Sequence, residues 1–382
     1  MMDKRKLIGD ALAELIEESR TGGPRVRIGL MAAGSELGQG ELLRGAVMAA
    51  AQDPRLQVVA IGAKAPGYGE LEWVETPNSD ADVAAAMESA LADGRIDGAV
   101  ALHYPFPLGV TTIGRILTPA RGKPMLIASS TGMAATSRVE AMLRNAIYGI
   151  AVAKALDIEK PTVGILNLEG AVSVQRALSR LSEGGYAVHL GSSVRAEGGA
   201  LLRGNDLLAG GVDVCVCDTL TGNVLVKLFS AFNTGGSFEA LGWGYGPSVG
   251  EGWGRVVSII SRASGAPVIA NALCCTAALI RGKLVECVQG ELNAAKAAGV
   301  EEIISSLSPK AVRAEEVPAP PQVPTDSEIH GIDVLSIEVA VKVLWKVGIY
   351  AESSMGCTGP VVKVSGGSME RSMAALREAG YL

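Results

Sequence analysis

Apolar and polar positions alternate between two patterns along this chain. Short, mostly apolar runs recur: Val58 to Ile61, Gly98 to Leu102, Pro124 to Ala128 and Thr162 to Leu168. A strand with one wet face would alternate, so these runs predict strands buried on both faces. Arg25 to Met31 reads as the first of the set. Between them lie stretches of helical spacing at about 40–51, 80–92 and 173–181, the first and last entered through a glycine-containing turn. Strand, glycine turn and helix in repetition predict a parallel sheet with helices on both faces. Ligands in such sheets sit at the C-terminal strand ends, which puts the turn after Met31 and His103 at the right height.

A helix over about 139–156 is apolar on most faces, which implies burial in the core or against a second subunit. Gly211 to Lys227 reads as a buried strand ending at Asp218, a Thr-Leu-Thr-Gly-Asn turn, and a helix opening at Asn223. The first N–H groups of such a helix, together with Asn223, form a ready anion site. Gly242 to Arg255 reads as a glycine-rich loop carrying Trp243, Tyr245 and Trp253. Pro318, Pro320, Pro321 and Pro324 mark residues 311–330 as an extended linker, after a core of residues 1–310. Beyond it, residues 331–382 hold a helix at about 333–347, a strand at 361–364 and a final helix from about Ser368, where Gly366-Gly367-Ser368 reads as an ordinary helix cap with a phosphate cradle as the alternative.

Composition narrows the class. Apolar residues make up 48% and aromatics 4%, with 48 glycines, which fits an Ala/Gly/Val-built α/β protein. A net charge of −6 without a basic run argues against nucleic-acid binding. Apolar stretches such as Val268 to Ile280 are too short and mixed to span a bilayer or anchor the chain in one. The N-terminal stretch sets Leu7, Ile8, Leu12, Leu15 and Ile16 at helical spacing among acids, unlike a signal peptide, so the expected location is cytoplasmic.

Six cysteines follow no metal-binding spacing, so no metal is expected. Cys215, Cys217, Cys274, Cys275 and Cys287 lie in apolar strands and helices, where cysteine packs as a small hydrophobe. Cys357 differs. It stands in Met355-Gly356-Cys357-Thr358-Gly359-Pro360, with glycine near it on both sides. Such a turn leaves a sulfur uncovered, lets a bulky acyl donor approach, and can present N–H groups that favour thiolate. The bland alternative is a turn that happens to contain a small residue.

Two motifs carry a resemblance. Val163-Gly-Ile-Leu-Asn-Leu168, and Asp213 to Lys227 with its Thr-Gly-Asn-Val-x-x-Lys ending, resemble the PlsX-type phosphate acyltransferases. That family implies an isocitrate/isopropylmalate dehydrogenase-like α/β fold and transfer of an acyl group to inorganic phosphate. The chain departs from the family pattern at Met31-Ala-Ala-Gly-Ser-Glu36, at Val174 and at Arg262-Ala263-Ser264. The tail Glu352-Ser-Ser-Met-Gly-Cys357-Thr-Gly-Pro360 resembles the alpha subunits of component C of glycine/sarcosine/betaine reductase.

The latter resemblance implies an acetyl thioester on Cys357 that inorganic phosphate releases as acetyl phosphate, with no bound cofactor. It also implies two partners: a beta subunit resembling ketoacyl synthase III, and the selenoprotein component A that supplies the acetyl group. A thiolate suits this role as nucleophile and leaving group. Phosphate and the tetrahedral oxyanion need donors, and the candidates are the backbone at Gly356 and Thr358, the Thr221-Gly222-Asn223 turn, and Arg262. The two motifs add Asn167 and Asp218 to this set. His103 is the first candidate for the base, His330 the second, and His189 reads as structural. Two other readings stay open: an acyl carrier protein-dependent phosphate acyltransferase of lipid synthesis without a covalent intermediate, and a docking subunit without catalysis.

Overall fold

The structure, a computed structural model, describes residues 23, 25–195, 198–307, 317–330, 332, 337–356 and 359–382. The chain opens with Val26–Met31 (β1), Gln39–Gln52 (α1), Leu56–Gly62 (β2), Glu72–Glu75 (β3), Asp80–Ala92 (α2) and Gly98–Ala101 (β4). Val110–Leu117 (β5), Pro124–Gly132 (β6), Arg138–Ala155 (α3), Thr162–Leu166 (β7) and Ala171–Glu183 (α4) follow. Next come His189–Leu190 (β8), Leu201–Leu202 (β9), Gly204–Ala209 (α5), Val214–Val216 (β10) and Thr219–Ala231 (α6). Gly246–Gly250 (β11), Val257–Ile259 (β12), Ala266–Arg281 (α7), Leu284–Ala297 (α8) and Val300–Leu307 (α9) complete the larger part.

Twelve strands form one sheet in the order β3-β2-β1-β4-β12-β11-β5-β6-β10-β7-β8, with β9 also paired to β7. The fold is therefore α/β and mostly parallel, as the sequence predicts. It is not parallel throughout. β5 runs antiparallel to both β6 and β11, and β11 runs antiparallel to β12. Two reversals separate β12 from β5 and a third separates β5 from β6, so the parallel set β1, β2, β3, β4 and β12 points opposite to β6, β7 and β10. The C-terminal strand ends of the two halves consequently lie at opposite ends of the sheet. A single ligand edge, as the repeated strand–turn–helix pattern suggests, does not exist.

Glycines make the antiparallel seam possible. Gly246 has φ +81°, and a Cβ there would lie 1.7 Å from the Ile113 carbonyl oxygen. Gly132 has φ +75°, and a Cβ there would lie 2.4 Å from the Val110 oxygen. Any other side chain would force the strands apart. The stretch expected as a glycine-rich loop thus contains β11, a central strand.

Helix α3 is buried at Met142, Ile147, Ile150 and Val152, and it packs on β6, β10, α4 and α8. Its apolar faces are covered by its own chain, so they give no reason for a second subunit. Each such fully buried side chain contributes about 1.5–3 kcal/mol before the entropy of ordering is deducted.

The C-terminal unit comprises Ser327–Ile329 (β13), Ile337–Lys346 (α10), Ala351–Gly356 (β14), Gly359–Val364 (β15) and Met369–Glu378 (α11). Its sheet runs β13-β15-β14, and it has its own core around Ile337, Leu344, Val362, Val364 and Leu376. β13 pairs antiparallel with β15, so the last residues of the expected 311–330 linker belong to this sheet. Gly356 pairs with Gly359 where β14 meets β15. Cys357 and Thr358 lie outside the described residues. Among the described residues no single helix is long and apolar enough to cross a membrane.

Candidate active site

Three strands of one half, β1, β4 and β12, end side by side. The turn after β1 passes through Gly34 (φ +86°), whose α-carbon faces Asp80 at the first residue of α2. β4 runs out to His103, and β12 runs out to Ser261 and Arg262. Met31, Ala33, Met87, Leu102, His103 and Arg262 line a mostly apolar cavity of about 200 Å³ between these ends. His103 and Arg262, two residues singled out from the sequence, are thus brought together.

Their electrostatics are complementary. Partial burial, and then the Arg262 guanidinium, lower the His103 pKa below the usual imidazole value, while Asp80 and Glu328 oppose the shift. A neutral imidazole can accept a proton near pH 7. Arg262 lies 3.3 Å from an Asp80 oxygen, with both side chains about half exposed or more. Such a pair contributes about 0–1 kcal/mol, so an arriving dianion can displace Asp80 from the guanidinium. Glu328, on β13 of the C-terminal unit, is the last of the charges acting on His103. Nothing in its local sequence marks Asp80; only the strand order reveals that α2 begins beside Arg262.

The other predicted residues sit at the opposite end of the sheet. Asp218 caps α6: its carboxylate accepts from the Thr221 N–H at 3.1 Å and from the Thr221 hydroxyl at 2.6 Å. The Asn223 amide donates to the Ser130 oxygen at 3.1 Å, and the Thr219 and Ser129 hydroxyls are 2.8 Å apart. A Cβ at Gly222 would lie 1.8 Å from the Ser129 oxygen, so this glycine lets α6 close onto β6. Helix α6 starts at Thr219, four residues before the predicted Asn223, because Asp218 is the better cap. Asn167, exposed just beyond β7, is next to Asp218 by strand register. From Asp218 to Lys227 the helix rises roughly 13 Å, which keeps this group apart from the Arg262 turn.

His330 is exposed, 3.6 Å from Glu328, and His189 is exposed on the short strand β8. All five described cysteines have their thiol pKa raised, chiefly by burial: Cys215 to about 12 and Cys274 to about 11, with Cys217, Cys275 and Cys287 shifted the same way. None of these five is a thiolate at neutral pH. Among the described residues no group of His, Cys, Asp or Glu side chains is arranged to hold a metal ion.

Comparison with known proteins bears on this geometry. The fatty acid synthesis protein family model matches residues 26–363. The chain is 47% identical to the glycine/sarcosine/betaine reductase complex component C subunit alpha of Peptoclostridium acidaminophilum, over 100% of both chains. It is 28% identical to a phosphate acyltransferase of Thermotoga neapolitana, over 53% of this chain and 68% of the other. A crystal structure of a branched-chain phosphotransacylase from Enterococcus faecalis matches 67% of this chain and 99% of its own at 16% identity, with a TM-score of 0.47. The match of the family model to nearly the whole described chain, together with the full-length similarity to a component C alpha subunit, shows that this chain belongs to the fatty acid synthesis protein family.

Proposed function

We propose that the chain is the acetyl-transfer subunit of a glycine/sarcosine/betaine reductase, taking an acetyl group as a thioester on Cys357 and releasing it to phosphate. The observation that carries this reading is the 47% identity over the whole of both chains, the C-terminal unit included. In the release step a phosphate oxygen attacks the thioester carbonyl carbon. The C–O bond of acetyl phosphate forms as the C–S bond breaks, and the sulfur leaves as thiolate. Arg262 holds the phosphate, and neutral His103 takes the proton that phosphate loses. The backbone N–H groups at Gly356 and Thr358 serve as donors to the oxyanion. The acetyl group arrives from a selenoprotein component A, with a beta subunit as the stable partner, in the cytoplasm.

Incubating the chain with acetyl phosphate runs the release step in reverse. Peptide mass spectrometry should then find a hydroxylamine-labile acetyl adduct on Cys357, and Cys357→Ala should abolish it together with arsenate-dependent acetyl phosphate breakdown. An unmodified Cys357 in folded protein with its partner subunit present would overturn the reading.

The apolar cavity favours a second reading. It offers more room than an acetyl methyl requires, which suits a phosphate acyltransferase working on longer acyl groups without a covalent step. That enzyme would turn over long acyl thioesters and tolerate Cys357→Ala.

A further inference from the structure

Two carboxylates have no exposed surface among the described residues, Asp206 and Glu239. Asp206 has a local explanation: it accepts from the backbone N–H groups of Val194 and Arg203 at the start of α5. Glu239 joins distant segments. One oxygen is 2.5 Å from the Lys227 ammonium and accepts from the Tyr245 hydroxyl at 3.3 Å. The other accepts from the Ser264 hydroxyl at 3.0 Å. Its backbone donates to the Ala263 oxygen at 2.9 Å and accepts from the Gly265 N–H at 2.8 Å. Lys227 also donates to the Ser261 hydroxyl at 2.8 Å, and the Ser264 hydroxyl accepts from the Ser261 N–H at 3.1 Å.

These bonds close around the five-residue turn that presents Arg262. On its other side, the Arg262 carbonyl accepts from the Glu36 N–H at 2.8 Å and the Ser35 hydroxyl at 3.2 Å. The backbone on both sides of Arg262 is thus tied down while its guanidinium stays about half exposed. An apolar side chain of similar volume at residue 239 could serve stability as well as a buried ion pair does. It could not reach Ser264 and Lys227 with directional bonds.

We propose that Glu239 is a positioning residue: through Ser264 and Lys227 it fixes the turn that aims Arg262 into the cavity beside His103. The value of this for phosphate rests on the function proposed above; the aiming of Arg262 does not. Three charged groups act on His103: Arg262, Asp80 and Glu328. His103 therefore reports where Arg262 points.

The experiment compares the full-length chain with Glu239→Gln, Ser264→Ala and Arg262→Ala. The His103 imidazole, one of three in the sequence, is titrated by NMR, and inorganic phosphate binding is measured by calorimetry. Glu239→Gln and Ser264→Ala should raise the His103 pKa toward its value in Arg262→Ala. Both should weaken phosphate about ten-fold, a mid-range coupling for one hydrogen-bonded network, and Glu239→Gln should add nothing on top of Arg262→Ala. Should Glu239→Gln fail to fold, Ser264→Ala, which keeps the Lys227–Glu239 pair, carries the test. An unmoved His103 in the folded variants would overturn the proposal even if thermal stability fell. A shifted His103 with phosphate binding indifferent to Arg262→Ala would uphold the positioning role and remove the phosphate reading instead.

Discussion

At its first turn α6 carries Asp218, Thr221 and Asn223, and all three side chains are engaged within the protein. Further along the helix, Lys227 together with Glu239 clamps a neighbouring turn whose Arg262 is left about half in solvent. Both ends join polar side chains to a helix, and both look like anion sites in sequence. The difference lies in how firmly the charged groups are held, since Arg262 has only its solvent-exposed pair with Asp80. At the first end Asp218 accepts from the helix's own Thr221 N–H, and the Thr221 and Asn223 side chains donate to Asp218 and to the Ser130 oxygen. At the second, the polar network is one layer beneath a cation that it leaves available.

Removing that cation should have the largest effect. Arg262→Ala should lower kcat/KM for phosphate by about 10²–10³-fold, the loss typical of a group stabilising transition-state charge. Steady-state acetyl phosphate formation reads it, and an effect under five-fold would erase the distinction between the ends. Gly222→Ala should cost about 3 kcal/mol in urea unfolding, because its Cβ would meet the Ser129 oxygen at 1.8 Å. The folded fraction should keep its phosphate KM.

Asp218→Ala should cost about 1 kcal/mol of stability through the lost cap, again with KM unmoved. A phosphate KM raised ten-fold in that variant would mean that α6 is an anion site after all. The mildest test is pH. His103 has a lowered pKa in the folded chain, so it stays neutral, and active as a base, down to a pH below its ordinary value. The acid limb of the activity profile should therefore lie at lower pH than an ordinary imidazole would place it. Unfolded chains bind this proton more readily, so any stability held by neutral His103 is lost as pH falls through the window between the unfolded and folded values. His103→Gln should abolish the acid limb.

Much of the fold could be read from the sequence, because burial on both faces leaves a mostly apolar run. β1, β2, β4 and β7 all announce themselves in this way, and Asp80–Ala92 forms a helix over the residues its spacing predicts. β5 and β11 do not. Their glycines mimic a loop, and their place in the middle of the sheet is a pairing between segments more than 100 residues apart. Strand direction is long-range in the same way, and it decides which turns share a face. His103 and Arg262 could each be named from local context. That they meet, with Asp80 beside them, and that the Asp218 turn is elsewhere, follows only from the seam.

The separate core of the C-terminal unit has a thermal consequence. A three-stranded sheet with two helices buries a smaller fraction of its surface than a twelve-stranded one, so it holds together less firmly. On heating it should open as its own cooperative step while the large sheet persists. The strands that flank Cys357 belong to that step. Heat would loosen these strands before destroying the pocket around Arg262, and under the function proposed above such protein would still bind phosphate but no longer turn over.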